Sequence, residues 1–264
     1  MASTAMTLFW RPFPVATLTV RQFLGGKAVR IVTVLAFAPA IYALIYLVNS
    51  DWVTPFEFLS DRVFIDLVSP TLLPITVLIL ATGALGNEVE DRTLPYLTLK
   101  PIGRLRIVLE KLAGVLVVAL PIVLAGLVAT WALTERAELP ARLQGRVAEP
   151  DLTPVLWASL AAAAVEVVVF SALFLMVSLY VARALLVGMI YAFVWESILG
   201  RFLPGIRLIS VRQYVQSVFV GVLDDPTVTV PNAFSLTSAL VTMAITCVVA
   251  ILLATRRLRR MNLE

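Results

Sequence analysis

The sequence predicts an all-α integral membrane protein, one domain over residues 1–264 built on six transmembrane helices. Three observations lead there. The chain is 60% hydrophobic and 14% charged, with a mean hydropathy of +0.96, where a soluble domain is about half apolar and about a quarter charged. The apolar residues are gathered into runs near the roughly 20 residues needed to cross a bilayer. The basic residues, finally, are shared unevenly between the connections on the two sides. Composition also removes whole classes of chemistry. With no histidine in the chain, histidine-ligated metal sites and histidine acid–base catalysis are excluded. The lone cysteine, Cys247, cannot form an intramolecular disulfide.

Residues 1–29 mix Phe9, Trp10, Phe13, Leu18, Phe23 and Leu24 with Arg11, Arg21 and Lys27 and hold no acid. That pattern suits a helix lying on an anionic membrane surface, and Pro12 and Pro14 make it begin near Pro14. The alternative is a disordered basic tail. No compact apolar core followed by a small-residue cleavage site is present, so no secretory leader is expected. The first span is read over about Arg30–Val48, with Pro39 expected to kink it. Asn49–Asp66, with four acids and one arginine, reads as a loop with Trp52 and Phe56 at the interface. The second span is placed at about Leu67–Gly86 and the third at about Leu112–Leu133, ending in interfacial Trp131. Thr134–Pro154 is polar and reads as a loop. The fourth span, Val155–Val181, exceeds the crossing length and must tilt or project.

Arg183 marks a tight turn into a short fifth span, Leu185–Leu199. In the 201–225 segment that follows, Leu208, Val211, Val215, Val218 and Val222 recur at helical spacing, while Arg207, Ser210, Gln213 and Ser217 fall on another face. The spacing predicts an amphipathic helix re-entering the outer interface, ended by Asp224-Asp225-Pro226. The last span, about Leu236–Thr255, is closed by Arg256, Arg257, Arg259 and Arg260. With the N-terminus inside, fourteen of the 21 basic residues fall on the cytoplasmic side: Arg11, Arg21, Lys27, Arg30, Arg92, Lys100, Arg104, Arg106, Lys111, Arg183 and the four C-terminal arginines. The positive-inside rule therefore predicts a multi-pass protein of the cytoplasmic membrane with both termini cytoplasmic.

Between the second and third spans lies the densest charged island of the chain, Gly86–Lys111. A connection needs only a few residues. This one is far longer and mixes both signs of charge with Leu94, Tyr96, Leu97 and Leu99, enough for a short amphipathic helix offered to a partner. The pattern Glu88-x-Glu90-x-x-Thr93-Leu94, then Pro101-x-x-Arg104 and Lys111, resembles the cytoplasmic coupling segment of type-2 ABC exporter permeases, and the six-span layout is similar to theirs. Two features depart from that family: Arg92 stands where a glycine is often found, and Pro95 follows Leu94, so the helix starts near Thr93 or is kinked at Leu94. The resemblance implies a coupling helix within residues 87–105, with Glu88, Glu90, Thr93, Leu94, Tyr96 and Leu97 contacting an ATPase. It also implies two separate ATPase subunits that carry ATP and magnesium, and a dimer of this chain with itself or a paralogue. The bland alternative is a solvated loop.

Two acids stand inside apolar runs. Glu166 lies near the middle of the fourth span, where a carboxyl group costs about 2.5–3.5 kcal/mol on insertion scales. It reads either as a substrate-pathway or dimer-interface group, or as a structural hydrogen-bonding group. Glu196, toward the outer end of the fifth span, reads as a structural tie to Arg201, Arg207 or Arg212. Tyr42, Tyr46, Phe170, Phe174, Tyr191 and Phe193 either line an apolar cavity or pack. No Gly-x-x-x-x-Gly-Lys-[Ser/Thr] loop, His-Glu-x-x-His or Gly-x-Ser-x-Gly occurs, so nucleotide chemistry is expected on another chain and no cofactor on this one. Basic stripes for nucleic acid are absent. The expectation is a non-catalytic permease subunit of an ABC exporter. The alternatives are an ion-coupled transporter or channel using Glu166 and Glu196, and an intramembrane enzyme, for which no nucleophile and base are recognisable.

Overall fold

A computed structural model describes residues 13–48, 53–90, 103–137, 139, 151–181, 183–192 and 210–261, without the side chains of 87–90. Every regular element among them is helical. In chain order these are α1 (Pro14–Leu24), α2 (Lys27–Val48), α3 (Pro55–Glu57, Phe58–Leu72 and Leu73–Glu90, wound end to end), α4 (Arg104–Thr134), α5 (Thr153–Tyr180), α6 (Ala184–Ile190), α7 (Val211–Leu223) and α8 (Leu236–Arg260). Five of them, α2, α3, α4, α5 and α8, are long and apolar enough to cross a membrane. The molecule is thus an all-helical, multi-pass membrane protein. The expected fifth span, Leu185–Leu199, is described only as far as Ala192.

α3 departs most from expectation. Its helix starts at Pro55, so most of the stretch read as a loop over Asn49–Asp66 is helical. Thr54 is extended and its Oγ1 accepts the Glu57 amide at 3.2 Å, with Pro55 opening the first turn; this is a hydroxyl N-cap followed by the one helical position where proline is welcome. From Phe58 to Leu72 the winding is π-type, and the Leu73 amide donates to the Val68 carbonyl five residues back. Wide turns are where helices absorb an irregularity, and here the stretch contains Pro70. The charges that suggested a loop ride on the less buried faces, with Arg62 and Asp66 exposed.

α4 begins at Arg104 and so takes the last eight residues of the charged island into its first two turns. At about 1.5 Å per residue its 31 residues extend about 46 Å, well beyond a hydrocarbon core of about 30 Å. α2 packs along it. Gly126 permits the closest approach, since a Cβ there would overlap the Ala36 carbonyl of α2. Pro39 sits inside α2, whose helix continues unbroken to Val48. α5 forms the central post, touching α3, α4, α6, α7 and α8, and Val155, Ala158, Ala162, Ala163, Val167 and Phe170 on it are fully buried.

α7 covers the described part of the amphipathic segment expected over 201–225, and Asp224 ends it in a left-handed conformation (φ 51°). Its faces are not divided as the spacing implied. Val211, Val215 and Val218 are buried, but Val222 is 40% exposed, while Gln213, Gln216 and Ser217 are buried. The polar side chains are inside because they have partners. Gln216 Nε2 donates to the Ile65 carbonyl of α3 at 2.9 Å, Gln213 Nε2 to the Pro231 carbonyl at 3.0 Å, and Ser217 Oγ accepts the Phe234 amide at 3.0 Å. Buried amides and hydroxyls are tolerated when so satisfied.

The aromatic residues form two packed clusters. Tyr46 stacks on Phe58 at 4.0 Å, with Tyr42 tilted against the same ring. Phe170 and Phe174 stack at 5.3 Å and meet Tyr191 edge-on. Phe193 lies outside the described residues. Trp131, expected at the interface, has its indole N–H buried inside the bundle.

Candidate functional site

The residues singled out by sequence divide sharply. Glu88 and Glu90 stand in the last turn of α3, while Thr93, Leu94, Tyr96 and Leu97 fall outside the described residues, as does Glu196. Glu166 is at mid-length of α5 and 0% exposed. What the structure does describe is the frame on both sides of the island, and that frame contains a buried charged junction.

It begins with α1, whose start has no cap of its own. Phe13 supplies no capping side chain, the first turn holds no acid, and Pro14 has no amide. The first free amides belong to Val15 and Ala16, and a helix start of this kind needs an acceptor. Glu110 of α4 provides it from 95 residues away: its Oε2 accepts the Val15 amide at 2.7 Å and the Ala16 amide at 3.3 Å. Glu110 is only 3% exposed. Its other oxygen, Oε1, accepts from Arg106 Nε at 2.7 Å, one helical turn earlier. A carboxylate at a helix N-terminus is favoured by the amide partial charges as well as by the bonds themselves.

Lys111, next in sequence and 2% exposed, turns to another neighbour. Its Nζ donates to the Ala84 carbonyl of α3 at 2.8 Å. Adjacent residues on α4 thus hold α1 and α3 respectively, and the apolar contacts follow the same plan. Gly114, one turn further along α4, lies so close to α1 that a Cβ there would sit 2.8 Å from the Thr19 Cβ. Phe23 of α1, buried to 4% exposure, lies where a Cβ added at Gly83 of α3 would be 3.6 Å from its Cε1. Three helices therefore converge where the chain leaves α3 for residues 91–102 and where it returns into α4.

The same end of the bundle is tied further round by α5 and α8. Arg257 of α8 donates from Nε to the Leu179 carbonyl at 3.2 Å and lies 5.4 Å over the Tyr180 ring, while Tyr180 Oη donates to the Leu253 carbonyl at 3.3 Å. At mid-height between α5 and α8 is an apolar groove of about 520 Å³, with Met243 and Val169 at its floor and Leu240 and Val248 at its rim. What the junction's charges and hydrogen bonds do is fix helix ends relative to one another.

Sequence reasoning placed Lys111 in the island and did not single out Glu110. The signals were present: a Glu-Lys pair at the border of an apolar run, an arginine one turn before the glutamate, and an N-terminal helix lacking any capping residue. No protein-family profile matches this sequence, and no curated protein sequence does either.

Proposed function

We propose that this chain is the membrane-spanning permease subunit of an ABC exporter, coupled to ATP hydrolysis on two partner subunits and working as a dimer with itself or a paralogue. The observation that carries the reading is the island itself. Glu88-x-Glu90-x-x-Thr93-Leu94, with Pro101, Arg104 and Lys111 behind it, stands between two membrane-crossing helices in the manner of a type-2 coupling segment. The joined ends of α3 and α4 support it. The Lys111–Ala84 bond ties α3 to α4 about two turns inside the ends where the chain departs and returns, and residues 91–102 are more chain than the few residues a connection requires. In this reading both termini and the island face the cytoplasm, the short stretch from Ala184 opens the fifth span, and α7 re-enters from the outside.

Mechanistically, nucleotide-driven closure of the partner subunits bears on the segment around Thr93–Leu97. The push passes into the ends of α3 and α4, and the two permease halves change their relative tilt so that the path opens outward. The chain itself breaks no bond. The work comes from contacts that differ between nucleotide states of the partner. The test is a double variant, Leu94→Asp with Tyr96→Asp. It is expected to reach the membrane at normal level, to self-associate, and to lose its ATPase subunits in pull-down. Normal retention of an ATPase subunit by this variant refutes the assignment of the segment.

A second reading rests on Glu166, a fully buried carboxyl group midway along α5. Intramembrane carboxyl groups are often proton or ion sites, and an ion-coupled transporter or channel follows from that. Proteoliposomes of the chain alone, loaded with a pH-sensitive dye, separate the two readings: proton flux that Glu166→Gln abolishes, in the absence of any ATPase, favours the second.

A further inference from the structure

The geometry points to a water-binding site midway through the bundle, where one water molecule bridges the Leu35 carbonyl of α2 and the Thr76 hydroxyl of α3 beneath α4. A cavity of about 10 Å³ lies there, bordered by Leu35, Ala36 and Pro39 of α2, Leu73 and Thr76 of α3, and Val123 of α4. That is the room of about one water-sized sphere. A void lined by hydrocarbon alone would stay dry, and a water needs at least about two polar partners. This cavity has two at its wall. The site stands apart from the coupling reading and asks nothing of a partner chain.

The first partner exists because of Pro39. A proline inside a helix has no N–H for the carbonyl four residues earlier, and here that carbonyl belongs to Leu35. α2 nevertheless runs on to Val48, so the Leu35 oxygen points along the axis toward Pro39, and both residues border the cavity. The second partner is Thr76, 1% exposed. Other buried threonines of the bundle turn their hydroxyls back on the carbonyl one turn earlier: Thr19 on Val15, Thr82 on Leu78, Thr130 on Gly126 and Thr255 on Ile251. Among the described residues Thr76 forms no such bond, and it borders the cavity instead. An enclosed hydroxyl or carbonyl is costly to leave unpaired. A water that donates to the Leu35 carbonyl and accepts from the Thr76 hydroxyl satisfies both groups at once. Collapse of α2 onto the site is blocked, since Gly126 already brings α4 against the Ala36 backbone.

Radiolytic hydroxyl labelling of the full chain in nanodiscs, read by mass spectrometry, tests the site, because radicals formed from a bound water oxidise the side chains beside it. Leu73 and Val123, each 3% exposed, border the cavity; Leu80 and Val118, at 0% and 5% on the same two helices, do not. Oxidation of the first pair is expected to exceed that of the second by about tenfold or more, as an ordered water beside sheltered side chains requires. Thr76→Val keeps the shape and removes the hydroxyl, and is expected to abolish the excess. Thr76→Ser, which keeps the hydroxyl, is expected to retain it. Pro39→Ala returns an N–H to the Leu35 carbonyl and is expected to reduce it. Equal oxidation of the two pairs in the unaltered chain overturns the site, as does an undiminished excess in Thr76→Val. Should the valine variant fail to accumulate, Pro39→Ala decides in its place: an undiminished excess there overturns the bridge.

Discussion

Removing the Glu110 carboxylate is expected to cost far more than removing the arginine it pairs with, and the structure gives the ratio. In Glu110→Ala, α1 loses the cap it has among the described residues: the Val15 and Ala16 amides, at 2.7 and 3.3 Å from Oε2, are left without that acceptor in a site that is 3% exposed. An N-cap is worth about 0.5–2 kcal/mol, and each buried donor left unsatisfied costs about 1–3 kcal/mol. These overlap, so local destabilisation of α1 by about 2–4 kcal/mol is expected. Arg106→Ala removes the other half of the same ion pair, but its side chain is 54% exposed. With its arginine end half in solvent, this (i, i+4) pair is taken as worth about 0.3–0.5 kcal/mol, and Glu110 keeps its two amides. Hydrogen exchange in detergent or nanodiscs reads the difference directly at Val15 and Ala16. At about 1.4 kcal/mol per tenfold, Glu110→Ala should speed their exchange by about 30- to 1,000-fold and Arg106→Ala by about threefold or less. Equal effects in the two variants, or none in Glu110→Ala, refute the account of Glu110 as the cap of α1.

Three further outcomes are expected. Gly126→Ala places a Cβ onto the Ala36 carbonyl and should destabilise the α2–α4 contact by about 1–3 kcal/mol, the usual cost of overpacking, seen as a lower midpoint in detergent unfolding; an unchanged midpoint contradicts the close approach. In the Cys247→Ala background, Gln144→Cys should label from outside intact cells with an impermeant maleimide and Thr98→Cys should not, and the reverse result inverts the proposed topology. Thr227 donates its amide and hydroxyl to Asp225 Oδ1 at 2.8 and 2.6 Å, holding that carboxyl below its ordinary 3.8. A lowered carboxylate pKa stabilises the fold above the unfolded value and loses that effect as pH falls through the folded one. Thr227 amide protection should therefore persist at the ordinary carboxylate value of 3.8 and be lost only as pH falls further, through the lowered folded value, and in Asp225→Asn should not vary with pH.

Five of the six expected spans were legible because an apolar run of crossing length has few other uses, and the start of α1 because two prolines allow little else. The loop read over Asn49–Asp66 shows where such reading stops. A hydropathy window averages Glu57, Asp61, Arg62 and Asp66 with their neighbours and sees a polar stretch. The helix separates them by direction, so that Phe58, Val63 and Phe64 are buried while Arg62 and Asp66 face out. The local signal, Thr54-Pro55-Phe56-Glu57, was a capping box with proline in place. The π-type winding that follows breaks the 3.6-residue period and defeats any face assignment made from spacing. The junction was hidden for another reason. Glu110 caps a helix 95 residues away, and only tertiary structure puts a carboxylate beside an amide at that separation. The burial of Gln213 and Ser217 was missed likewise, because the acceptor and donor that accommodate them belong to the chain after α7.

The helices that cross the membrane are not equally enclosed. In its most apolar stretch α8 has 17% of its residues buried, whereas α3 has 61%. Both are apolar, but to satisfy different surroundings. α8 answers to lipid, which requires oiliness and almost no particular shape; α3 answers to its neighbours, which require particular volumes. Drift in sequence should therefore take different forms in the two. Along the outward side of α8, at Val241, Ile245, Val249 and Leu252, one bulky apolar residue can stand for another while a charge is rejected at insertion. Along α3, Val77, Leu78, Leu80, Ala81 and Ala84 should resist even apolar exchange. Two helices of nearly the same hydropathy, 2.4 and 2.2, would then age at different rates, with the bark of the bundle wandering and its heartwood fixed.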